Sequence, residues 1–114
     1  MQPVSPAEFE ELVADALDAL PAEVAARFRN VVVVALDENP DDLDLLGLYE
    51  GVPLTEREHY SGALPDRISL YRIPLCLMAE DLDDLRHEIG ITVVHEFGHH
   101  MGLDEARLDH FGWS

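Results

Sequence analysis

The stretch His95-Glu96-Phe97-Gly98-His99 constrains this chain more than any other. On an α-helix of about 3.6 residues per turn, His95 and His99 stand about 40° apart on one face. Two imidazoles on successive turns can reach one metal ion. Glu96 lies about 100° round from His95. That is a poor place for a further ligand, but within reach of a water held at the metal. Two imidazoles and a carboxylate leave a fourth position for water on Zn2+, and Glu96 can take that water's proton. The residues just before, Ile89-Gly90-Ile91-Thr92-Val93-Val94, are apolar enough for a buried helix. Buried imidazoles and a carboxylate must find partners, and a metal supplies one directly. Gly102 follows His99 by three residues and fits a helix end in a left-handed turn. Such a turn lets the chain fold back and present a third ligand.

Extended from His95 to Glu105, the stretch resembles the motif H-E-x-x-H-x-x-G-x-x-(H/D) of the zincin group of zinc metallopeptidases. With Leu46-Gly47-Leu48-Tyr49-Glu50-Gly51 and Leu64-Pro65-Asp66-Arg67-Ile68, the chain is similar to a family of very small bacterial zincin-like proteins. The resemblance implies a minimal zincin fold, zinc as cofactor, and peptidase activity on a peptide or protein substrate. It implies His95, His99 and Glu105 as metal ligands and Glu96 as the general base. Glu105 stands where His or Asp is usual. Asp104 is the competing carboxylate, and neighbouring side chains diverge in extended backbone, so both should not reach one ion. Register favours Glu105. His110 is a reserve donor, whereas His100 falls about 140° from His95 and should not share the metal.

The expected fold class is α/β in the wider α+β sense: a small mixed sheet packed on an N-terminal helix and a long active-site helix. At 114 residues, one domain spanning 1–114 is expected. The formal charge of −17, from 24 acids against seven bases, all Arg, argues against nucleic acid and anionic membrane surfaces. Cys76 is the single cysteine, so no internal disulfide forms, which suits a reducing compartment. Neither a basic, apolar leader nor an apolar run of about 20 residues occurs, so a cytoplasmic location is expected.

Along the chain, Ser5-Pro6-Ala7-Glu8 reads as a capped helix start, and Phe9, Leu12, Val13, Ala16, Leu17 and Leu20 follow helical spacing. A short second helix begins at Pro21 and ends near Asn30. Val31–Leu36 is a β-branched run without alternation, which suits a strand buried on both faces. Asp37 to Asp44 lacks the glycine and final glutamate of a calcium-binding EF-hand loop and reads as a solvated turn. Leu46–Glu50 and Arg67–Ile73 read as further strands, the latter stopped at Pro74. Between them, Gly51 to Asp66 is a loop long enough to be functional, with His59 and Tyr60 most simply on the surface. By the family resemblance, Arg67–Ile73 is the candidate edge strand for an extended substrate. Asp81 or Asp83 should cap the long helix, expected from about Asp84 to Met101. Glu88, seven residues before His95, lies on the metal face; it either orients a ligand or is simply solvated at the helix start, and the second reading is favoured. Phe111 and Trp113 are expected to pack on the sheet. The leading function is a zinc-dependent peptidase. The alternative is a non-catalytic zinc-binding or partner-binding protein on the same fold.

Overall fold

The computed structural model describes residues 1–28, 30–51 and 65–100, apart from the side chains of residues 99 and 100. Among these residues the chain forms α1 (Pro6–Asp18), α2 (Ala22–Ala25), β1 (Val31–Leu36), β2 (Gly47–Glu50), β3 (Asp66–Tyr71), α3 (Arg72–Met78) and α4 (Leu82–His100). It is an α+β fold with a small mixed sheet.

Helix α1 starts as its sequence dictates. Ser5 Oγ accepts the Glu8 N–H at 3.1 Å, and Pro6 occupies the first position, where a missing N–H costs nothing. Its apolar residues Phe9, Leu12, Val13 and Ala16 are buried against the core. Asn30 stands just before β1 with φ 56°, a left-handed conformation that asparagine tolerates better than most residues. At the far end, Asp81 caps α4: its Oδ1 accepts the Asp84 N–H at 2.8 Å. Asp84 reaches back to accept the Glu80 N–H, also at 2.8 Å.

The strand order is β1-β3-β2. Strand β3 is parallel to β1, with Val33 opposite Ile68, and antiparallel to β2, with Gly47 opposite Leu70. This corrects the expectation that Arg67–Ile73 supplies a sheet edge. Both edges of β3 are occupied, and Ile68, Ser69, Leu70 and Tyr71 are buried in consequence. Among the described residues, the edges belong to β1 and β2. Two-sided burial of β1 is corrected with it: Val31, Val33 and Ala35 pack towards the core, while Val32 is 43% and Leu36 45% exposed. An unbroken apolar run reports the composition of a strand but not its place in the order.

A second difference lies at Pro74. The strand ends at Tyr71 and the next residues form α3. Pro74 falls in the first turn of that helix, where backbone N–H groups lack intrahelical partners anyway. Arg72 ties this corner together. Its guanidinium donates to the Val4 carbonyl at 2.7 Å and to Asp37 Oδ1 at 3.0 and 3.2 Å. The Arg72 side chain is only 14% exposed, whereas Asp37 is 65% exposed.

Unequal costs should follow. Arg72→Ala removes a charged donor from a partly buried carbonyl and should cost about 1–3 kcal/mol. Asp37→Ala removes one exposed ion-pair partner and should cost at most about 1 kcal/mol. Urea denaturation of both variants checks this, and equal losses would count against the Val4 contact as the main stabilising element.

Candidate active site

Helix α4 divides its circumference between core and cleft. At about 100° per residue, Ile91, His95, Glu88, Thr92 and Glu96 fall within an arc of about 140°. The adjoining arc carries Ile89, Val93 and Phe97, all fully or almost fully buried. The first arc faces a cavity of about 390 Å3. The opposite wall comes from the turn after β1 and the start of β2, through Asp42, Asp44, Leu45, Leu46 and Gly47, and Met78 of α3 also lines it. Glu88 is therefore not simply solvated at the helix start. It is half-buried and shares the cavity with His95 and Glu96.

The two walls meet closely at one point. A Cβ built on Gly47 would stand 2.6 Å from Thr92 Cγ2, 3.2 Å from the Ser69 carbonyl oxygen and 3.6 Å from Glu96 Cγ. Only a residue without a side chain fits there. Thr92 is buried, and its hydroxyl donates to the Glu88 carbonyl at 2.8 Å, which aims its methyl group at the strand. Neither residue was singled out from the sequence. The available signal was Gly47 itself, since a glycine between Leu46 and Leu48 in a strand marks a close backbone approach.

His95 is half-buried, and its Nε2 is shielded from solvent. A shielded imidazole nitrogen beside a carboxylate, on the wall of a cavity, is the donor chemistry a zinc ion takes. Among the described residues, four carboxylates line the cavity, those of Asp42, Asp44, Glu88 and Glu96, and no arginine does. The acidic turn 37–44 is otherwise as expected: Asp41, Asp42 and Asp44 are exposed, and the Asn39 and Asp42 side chains accept backbone N–H groups two residues on.

The backbone of α4 carries His99 one turn beyond His95, on the same arc. The His99 side chain, Asp104, Glu105 and His110 lie outside the described residues, as do His59, Tyr60, Gly102, Phe111 and Trp113. Among the described residues, no three His, Cys, Asp or Glu side chains converge on one point. No described helix is long and apolar enough to cross a membrane.

Residues 18–113 match the family of zincin-like metallopeptidases, and the chain belongs to that family. Its fold is shared with a conserved hypothetical protein from Thermo thermophilus, at 24% identity and a TM-score of 0.57. That similarity covers 86% of this chain and 94% of the other. Among curated proteins, none matches.

Behind the cleft, Phe97 fixes the helix between His95 and His99. Its ring meets Phe28 edge-on, centroids 4.2 Å apart, and Tyr49 at 6.4 Å. Phe97→Ala should therefore cost about 3–5 kcal/mol. Urea denaturation reads this directly, and a loss below about 1 kcal/mol would mean that Phe97 does not anchor this turn.

Proposed function

We propose that the protein is a zinc-dependent peptidase whose ion is held by His95, His99 and Glu105. The observation that carries this reading is the cavity in which His95 and Glu96 face the start of β2. Zinc, when bound, supplies a Lewis acid that polarises a peptide carbonyl and acidifies water. The remaining work falls to the chain's own residues. Glu96 takes the proton from the attacking water and returns it to the departing amine. The acid-rich wall suits a cation.

The substrate lies extended along β2. That strand pairs with β3 alone among the described residues, so its other edge offers backbone N–H and C=O groups for an added strand. This role passes from Arg67–Ile73, which the sheet order encloses, to Gly47–Glu50. The partner is accordingly a peptide or an unfolded protein segment.

Glu96→Gln separates binding from chemistry. It should retain stoichiometric zinc and lose about 10²–10⁴-fold in peptide hydrolysis, while His95→Ala should lose the metal. Metal analysis of protein purified without chelators, together with a broad peptide library, measures both. Full activity in Glu96→Gln would overturn the assignment. Stoichiometric zinc with no cleavage by the wild type would move the chain to a non-catalytic zinc-binding role.

For the third ligand, Glu105→Ala should weaken zinc binding far more than Asp104→Ala, and Glu105→Asp should largely preserve it. Titration with a competing zinc indicator compares the three. Damage confined to Asp104→Ala would shift the ligand by one residue.

A further inference from the structure

We propose that Gly47 and Thr92 form a positioning pair that sets how close the substrate strand lies to Glu96; this rests on the peptidase reading above. The Tyr71 N–H donates to the Leu46 carbonyl at 3.0 Å, so Leu46 turns its backbone groups towards β3. In an antiparallel ladder, residues that bond across the pair alternate with residues that do not. Leu48 faces Ser69 in the next bonding position, and Gly47, opposite Leu70, lies between the two. Gly47 thus directs its own N–H and C=O to the outer edge of β2. It also lines the cavity shared by His95 and Glu96.

The missing side chain decides the separation. A Cβ at Gly47 would overlap Thr92 Cγ2 at 2.6 Å, and the neighbouring Ser69 carbonyl at 3.2 Å leaves little room to retreat into the sheet. The Thr92 methyl cannot readily swing aside, because the Thr92 hydroxyl is bonded to the Glu88 carbonyl and a β-branched side chain in a helix has few rotamers. An added methyl group must therefore push β2 away from α4. Glu96 is carried on α4, whereas the substrate's backbone partners are carried on β2. Widening this contact moves the peptide relative to the base. Gly47 and Thr92 touch no reacting atom; they set the distance between the two elements that do.

The test uses Gly47→Ala and the double variant Gly47→Ala/Thr92→Ser, in which serine keeps the hydroxyl and removes the obstructing methyl. Each zinc-loaded protein is given a decapeptide that wild type cleaves and a blocked dipeptide too short to pair along β2, well below its Tm. Gly47→Ala should lose about 10²-fold in kcat/KM on the decapeptide. The dipeptide should be much less affected, and the double variant should recover most of the loss. Equal loss on both substrates, no loss, or no recovery in the double variant would overturn the proposal. If wild-type protein cleaves neither substrate, the peptidase reading fails by itself, and binding of a fluorescein-labelled decapeptide mixture decides the positioning role. Binding weakened roughly tenfold by Gly47→Ala and restored by Thr92→Ser would uphold it. Absent or unchanged binding would overturn it.

Discussion

The site depends on the burial of one side of α4. Leu85, Ile89 and Val93 are inaccessible to solvent and stand on successive turns, with Phe97 completing the row. Burying each such side chain contributes roughly 1.5–3 kcal/mol, so this row fixes the rotation of the helix about its axis. Once the rotation is fixed, so is the direction of the neighbouring arc. Glu88, Thr92, His95 and Glu96 reach the cleft because the core residues beside them cannot turn out of it. The polar residues alone would favour solvent on any side. Their alignment is borrowed from the hydrophobic row.

The same helix shows what the sequence made legible. The motif from His95 to His99, the apolar run before it and the Asp81 cap each depend on contacts within a few residues, and each is found in α4. The members of the sheet were legible too, because Val31–Leu36, Leu46–Glu50 and Arg67–Ile73 carry strand composition locally. Their order was not. It depends on which strand fills the space between the others, and the last strand, Asp66–Tyr71, does so. That inverted the expected burial of β1 and the expected edge together. Helix α3 was missed because Pro74 reads equally as a strand stop and as a first-turn helix residue, and only its position two residues past Arg72 separates these readings. Glu88 was placed on the correct helix face but assigned to solvent, since the opposing wall is built from residues about 40 positions earlier.

The close approach at Gly47 links these two levels. A glycine in a short edge strand weakens the strand in isolation, because it has no side chain to pack. Here the absence allows β2 to lie against α4, with Tyr49 two residues on meeting Phe97. Tyr49 also donates to Asp66 at 2.6 Å, tying β2 to the start of β3. The strand is therefore held by its flank and by its partner strand, with Gly47 at its start lining the cleft.

Charge follows the same division. Among the described residues, three arginines form ion pairs between separate elements, and Arg86 also pairs with Asp83 within α4 at 2.9 Å. Arg67 bridges β3 to Glu50 of β2, Arg72 joins the start of α3 to Asp37, and Arg86 reaches from α4 to Asp15 of α1. Glu50 holds the Arg67 guanidinium above its ordinary pKa, first by hydrogen bond and then by charge. None of these three lines the cleft. In a chain with 24 acids and seven bases, these three described arginines lie at seams between elements and not in the cavity lining. Glu88 and Glu96 are half-buried in a cavity that Asp42 and Asp44 also line, with no arginine among the described lining residues. The described arginines that staple the fold stand at its seams, and the cavity lining carries His95 and four carboxylates, a donor set that suits a cation.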